Sequence, residues 1–354
     1  MKRLTALTLT VLFVLSAFLL TACGAPAATT AAAAAETTAA AAAGETTAAA
    51  AADAKVFKLG HIAAPGTAYD NFANEFAKEV AAASNGRYKI DVYPAGQLGV
   101  DRELMESLQV GNVDFTIITA SDINQFVPEM AVQDLPYLFM SWDHVEKSLA
   151  SDVAKEMYGL TDSVGMKTLA FMPRGFRHTT SNIKPIKTPA DFKGLKIRVA
   201  ESEVYINTFK ALGANPQAMA WSEVFTALQQ KTIDAHENTI VTIRDYKIDE
   251  VQKYVSETGH FFAFAALQMN SNLFNGMSAE DQAMIQKCAS DAATKLGLEQ
   301  KANEQKAKDE LISKGMEFNA VDDKAAFAAL VQPVYDTFLK DHDSKYLDAI
   351  KAMN

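Results

Sequence analysis

Two runs of alternating strand and helix patterns, separated by an arginine-bearing stretch, confine this chain to an α/β architecture. The first run opens with a strand at residues 56–61. A helix follows over 70–84, with Phe72, Phe76 and Val80 on one stripe and Ala73, Ala77 and Ala81 beside it. Asn85-Gly86 stops that helix, and residues 87–93 alternate as a strand. The loop at 94–99 feeds a short helix from Asp101 that closes at Gly111, and 113–119 is a short apolar strand. Residues 128–137 read as loop, those from Trp142 as helix, and 165–172 as a buried strand. Such alternation builds a sheet with mainly parallel pairing.

The alternation then resumes. Residues 196–199 form a strand, and Ser202 caps a helix that runs to Leu212 and stops at Gly213. An extended segment, 215–219, precedes a helix at 223–231 that starts from Ser222 and turns Val224 and Leu228 inward. Strands are predicted at 233–238 and 253–257. Residues 261–269 are almost wholly apolar, the pattern of a strand buried on both faces. A second α/β domain, entered near Arg174 and left near Phe262, accounts for this order. Domain I is therefore predicted over 55–174 plus 263–303, and domain II over 175–262 plus 304–354. Ser278, with acidic residues after it, starts a helix of roughly 35 residues, about 50 Å long at 1.5 Å per residue. A helix of that length spans both domains or kinks at Gly297. Cys288 lies on its apolar stripe with Ile285, Ala292 and Leu296, so it reads as a small buried hydrophobe.

The chain has 354 residues and a hydrophobic content of 49%, enough for two domains with a sizeable core. Its net charge of -10, with no basic run, argues against a nucleic-acid partner. Lys2 and Arg3 precede an apolar run at 4–20, the layout of an export signal over residues 1–22. Leu20-Thr21-Ala22-Cys23 resembles the bacterial lipobox, in which the cysteine thiol is lipidated and becomes the mature N-terminus. Residues 23–54 are then an alanine- and threonine-rich tether, reaching on the order of 30 Å as a coil. The expected location is extracytoplasmic, with the membrane reached through lipid on Cys23.

Arg177 and Arg198 each sit beside strand-like sequence rather than on an amphipathic helix face. A guanidinium offers a rigid fork of donors that matches a carboxylate two bonds at a time, and it stays charged when desolvated. At a strand end beside a cleft, it is a ready anchor for a small organic acid; a structural ion pair is the competing explanation. Arg177 lies in a Thr-Thr-Ser turn that looks flexible, so it reads as the second-line contact. Nucleophile elbows, Walker loops, dinucleotide fingerprints and zinc-protease motifs are all missing from the sequence. His236-Glu237 lacks a second histidine at helical spacing, so no metal or cofactor is expected. Glu201 and Glu203 lie at a helix start where the dipole accounts for them. Glu201, which closes the arginine stretch, is kept as a candidate ligand contact.

Four segments, in order, carry a resemblance: Pro94-Ala-Gly-Gln-Leu-Gly99, Leu135-Pro-Tyr137, Asp191-Phe-Lys-Gly-Leu-Lys-Ile-Arg198, and the stretch from Trp221-Ser-Glu-Val-Phe to Asp234-Ala-His-Glu-Asn238. Together they resemble the extracytoplasmic solute receptors of tripartite ATP-independent periplasmic (TRAP) transporters, the DctP-like family, from about Lys55 to the C-terminus. The resemblance implies a type II-like periplasmic-binding-protein fold: two α/β domains around a cleft, with a long helix across both. It implies that Arg198 pairs with the ligand carboxylate, that Arg177 is a second cationic contact, and that Asn238 is the polar residue opposite. Trp221 stands where the family commonly has phenylalanine, as an aromatic wall. His61, Tyr69 and Asp122 are implied to close over the ligand from the first domain. The family's sialate receptors have an acidic residue followed by an arginine where Thr119 and Asp122 stand here, which argues against sialate. The expected function is capture of a small organic acid, a sugar acid favoured, by a monomer that delivers it to membrane-embedded TRAP subunits. A receptor or sensor input for another importer class, binding dicarboxylates, keto acids or amino acids, is the alternative. An outer-surface enzyme is a weaker one.

Overall fold

The computed structural model describes residues 54–354. The predicted signal peptide, Cys23 and nearly all of the tether lie outside them. Among the described residues, nine strands form one sheet: β1 (Lys55–His61), β2 (Tyr88–Tyr93), β3 (Phe115–Thr119), β4 (Met166–Ser181), β5 (Lys196–Val199), β6 (Asn215–Ala218), β7 (Ala235–Thr239), β8 (Tyr254–Asn270) and β9 (Glu317–Ala320). Their spatial order is β2-β1-β3-β8-β4-β7-β5-β6, with β9 added to β8. The helices are α1 (Ala68–Ala83), α2 (Asp101–Gln109), α3 (Trp142–Ala150), α4 (Asp152–Gly159), α5 (Glu203–Ala211), α6 (Trp221–Gln229), α7 (Ile240–Asp245), α8 (Ser271–Asn275), α9 (Ala279–Ser313), α10 (Lys324–Leu330), α11 (Gln332–Asp341) and α12 (Lys345–Lys351).

Each lobe carries its own parallel strands, β2-β1-β3 in the first and β7-β5-β6 in the second. Two long antiparallel strands, β4 and β8, run between them and pair from Met166↔Asn270 to Ser181↔Tyr254. The expected parallel pairing thus holds within the lobes and gives way to antiparallel pairing at the centre. Residues 253–257 and 261–269, expected as separate strands, belong to the single strand β8. The expected turn at Thr179-Thr180-Ser181 is also strand, the end of β4, with all three residues buried. Strand patterns cannot show such continuity, because Gly259 at φ +56° and the register shifts in β4 let the long strands bend without ending. Residues 128–137, read as loop, begin with a 3-10 helix at Pro128–Asp134.

Helix α9 has 35 residues and runs without interruption through Gly297. Ile285, Cys288, Ala292 and Leu296 on it pack into the core of the first lobe. Ala307 and Leu311, further along, pack with Val224, Leu228 and Val241 in the second. Gly297 is a contact rather than a kink: a Cβ there would meet Pro173 Cγ at 2.5 Å. Ser278 caps α9 by accepting from the Asp281 N–H at 3.1 Å. Ser202 occupies the position before α5 but makes no side-chain cap, and its buried hydroxyl has no hydrogen-bond partner among the described residues.

Candidate ligand-binding cleft

The first-lobe strand β3 and the second-lobe strand β5 direct their C-terminal ends at one cleft, the usual ligand side of an open α/β sheet. The cleft holds a cavity of about 340 Å³, within the range of small-molecule sites. Tyr69, Thr119 and Asp122 line it from the first lobe; Arg198, Trp221 and Asn238 line it from the second. Glu201 and Arg177 also reach its wall.

Arg198, at the end of β5, is 5% exposed. Its Nε and Nη2 donate to the carbonyl of Met219 at 3.1 and 2.7 Å, and its guanidinium carbon lies 5.6 Å from the Trp221 ring. It makes no ion pair among the described residues. Burial pushes the Arg198 guanidinium down to about 10; nearby Arg177 adds to this, while Glu237, Asp122 and Glu201 oppose it. A buried cation in this condition favours an anion at its free edge.

Arg177 has a different environment. Its Nε donates to Glu237 Oε2 at 2.5 Å, its Nη2 to Glu237 Oε1 at 2.7 Å, and its Nη1 to Asn238 Oδ1 at 3.1 Å. Glu237 is fully buried and also meets His260 Nε2 at 3.1 Å. Burial alone would raise the Glu237 carboxyl, but Arg177 and His260 hold it down at about 2. Burial alone would lower Arg177, and Glu237 reverses that. Arg177 is thus an ion-paired strut in the cleft wall, on a rigid strand rather than in a flexible turn. Asn238 is occupied too, since its Oδ1 also accepts from the Thr239 N–H at 2.9 Å.

Of the expected first-lobe contacts, Tyr69 and Asp122 reach the cleft and His61 does not. His61 ends β1, pairs in register with Ile117, is fully buried, and puts Nε2 3.5 Å from Asp70 Oδ1 at the start of α1. Burial pulls its pKa down, against Asp70. Tyr69 Oη lies 3.0 Å from Thr119 Oγ1 and accepts from Arg174 Nη1 at 3.0 Å. Asp122 sits in the 3-10 turn after β3, near the carboxyl of Asp101, the first residue of α2. Burial raises Asp122 to about 6, although Asp101, Arg198 and Arg177 all pull it down. Asp101 lies well above the ordinary carboxyl range, first through burial and then through Asp122. The two carboxyls retain a proton between them more readily than free acids, which suits them to ligand hydroxyls as donor and acceptor.

Trp221 is the first residue of α6 and packs edge-on to Tyr246, ring centroids 4.9 Å apart. Sequence reasoning missed Asp101, Tyr246 and Arg174 as cleft residues. The first two carry no distinguishing local pattern. Arg174 had a signal, because a Pro-Arg-Gly triplet inside a strand marks a bulge that re-aims a side chain.

The sequence pattern of the bacterial extracellular solute-binding proteins, family 7 (DctP), matches residues 59–341. The chain belongs to this family. A solute-binding protein of Verminephrobacter eiseniae is 36% identical over 78% of this chain and 83% of its own length. A TRAP periplasmic solute-binding protein from Bordetella bronchiseptica, with density interpreted as pantoate, is 37% identical at a TM-score of 0.81, covering 84% of this chain and 99% of that one. Another from Bradyrhizobium, in complex with galacturonate, is 30% identical at a TM-score of 0.80, covering 84% and 100%. The family-7 fold is the two-domain, type II-like binding-protein fold that the resemblance implied, and its members are receptors of transport systems. No helix among the described residues is long and apolar enough to cross a membrane.

Proposed function

We propose that this family-7 receptor captures a small hydroxylated carboxylic acid and presents it to a membrane-embedded TRAP transporter. The observation that carries the reading is Arg198: a buried guanidinium on the cavity wall, held by a backbone carbonyl and without a carboxylate partner among the described residues. The ligand carboxylate docks on its free edge, Trp221 provides an apolar face for C–H groups, and Asp101 and Asp122 meet hydroxyls. Galacturonate in the Bradyrhizobium relative and pantoate in the Bordetella relative are both hydroxylated carboxylates, which supports this class. The lobes, 55–174 with 263–303 and 175–262 with 304–354, close over the acid by bending β4 and β8 where they cross between them. Ligand moves the open–closed balance only by its preference for the closed form. A thermal-shift screen against sugar acids tests the reading, since a ligand at 100 times its dissociation constant adds about 2.7 kcal/mol of stability. Absence of any shift across uronates, aldonates and short hydroxy acids would overturn it.

The receptor is anchored at the membrane surface through lipid on Cys23, a proposal that rests on the Leu20-Thr21-Ala22-Cys23 tetrad. Cys23→Ser is expected to move the protein from the membrane to the soluble fraction. Unchanged sedimentation with membranes would place the anchor elsewhere.

A further inference from the structure

Three arginines, Arg174, Arg177 and Arg198, line the inner cleft, and only one has a carboxylate to neutralise it among the described residues. Arg177 is matched by Glu237; Arg198 and Arg174 are matched by neutral oxygens. Arg174 is 8% exposed. Of the five donors of its guanidinium, Nη1 gives one to Tyr69 Oη at 3.0 Å and Nη2 one to Thr242 Oγ1 at 2.7 Å, with the Tyr69 ring 4.8 Å from its carbon. Its remaining donors have no acceptor among the described residues.

The backbone explains how a strand residue comes to point there. Pro173 pairs with Phe264 and Gly175 with Ala263, so β4 advances two residues while β8 advances one, and Arg174 is the extra residue of a bulge. Gly175, at φ +119°, accepts the conformation that this irregularity needs. The bulge aims Arg174 between Tyr69 of α1 and Thr242 of α7, one from each lobe. Burying a guanidinium without a counter-charge is costly, and a ligand anion removes that cost.

We propose that Arg174 is a second anion anchor, and that the preferred ligand is a hydroxylated di-acid whose second carboxylate seats against Arg174, Tyr69 and Thr242. This rests on the reading above that the cleft takes an organic acid through Arg198. A mono-acid would neutralise one of the two open guanidiniums; a di-acid neutralises both. The hydroxyls between its ends fall to the Asp101–Asp122 pair.

The test compares acids that differ at one terminus: galactonate against galactarate, and erythronate against meso-tartrate. Each is titrated calorimetrically into wild-type protein, Arg174→Gln and Arg174→Lys, with melting curves as a folding control. In wild type, the di-acid of at least one pair is expected to bind tenfold or more tighter than its mono-acid. Arg174→Gln is expected to bring that ratio towards one, and Arg174→Lys to keep part of it. Mono-acids binding as tightly as di-acids in both pairs would overturn the proposal while leaving the organic-acid reading intact. So would an Arg174→Gln protein that weakens both members of a pair equally, the sign of both arginines gripping a single carboxylate. If no acid binds at all, both readings fall together. The wild-type comparison needs no substitution, so poor folding of a variant does not remove the test.

Discussion

Arg177 donates to both carboxylate oxygens of Glu237, whereas Arg198 donates only to the carbonyl of Met219. Truncating the two should therefore read out differently. Arg198→Ala takes away the partner of a desolvated ligand carboxylate, a loss of about 2–5 kcal/mol in binding. Arg198→Lys keeps charge but not the fork, and should weaken binding about tenfold or more. Arg177→Ala leaves Glu237 buried with only His260 against it, which should cost about 3–5 kcal/mol of fold stability. Calorimetric titration and urea melts of the three variants separate the effects. Near-wild-type affinity in Arg198→Ala, or undiminished stability in Arg177→Ala, would refute the assignments. The acid limb carries the same information. Because Glu237 is held down at about 2, its stabilising contribution is full above the ordinary carboxyl range and lost as pH falls towards 2. Without Arg177 that dependence should weaken, since only His260 is left to oppose burial.

Helix α9 packs on strand β4, and Gly297 admits Pro173 at that contact. A Cβ at 297 would lie 2.5 Å from Pro173 Cγ and 2.7 Å from Cδ. Mid-helix alanine normally gains about 1 kcal/mol over glycine, but overpacking of this order costs about 1–3 kcal/mol. Gly297→Ala should therefore lower stability, with the melting temperature as the measure; a raised melting temperature would show that the helix is free to move off β4. Pro173 directly precedes Arg174, so a loss of ligand affinity should accompany the loss of stability. The length of α9 was legible in the sequence, because Ser278 starts it and no breaker except Gly297 appears before Gly315. The meaning of Gly297 was not, since a helical glycine reads alike whether it bends the axis or admits a neighbour.

Closure of the molecule should be visible in fluorescence. Trp221 lines the cleft, while Trp142 packs edge-on against Phe262 at 4.9 Å between centroids and is absent from the cleft wall. Binding of a hydroxylated acid should change the emission of Trp221 and leave Trp142 silent. The response should vanish in Trp221→Phe, and a response that survives intact in that variant would rule out Trp221 as a reporter of closure.

The alternation of apolar periods determined the α/β class, the two lobes and the placement of Arg198 at a strand end, because those are properties of local pattern. The ordered motifs added the family. Tertiary structure decided which arginine is free to bind. Arg177 and Glu237 are 60 residues apart in the chain, and they meet only because β4 and β7 pair with Arg177 opposite Thr239 and His178 opposite Asn238. Arg174 turns into the cleft through a single extra residue between Pro173 and Gly175. His61 faces Asp70 instead of the cavity because of where α1 begins above β1. The two arginine outcomes depend on register between distant strands, and a shift of one residue in register turns a side chain to the other face of the sheet.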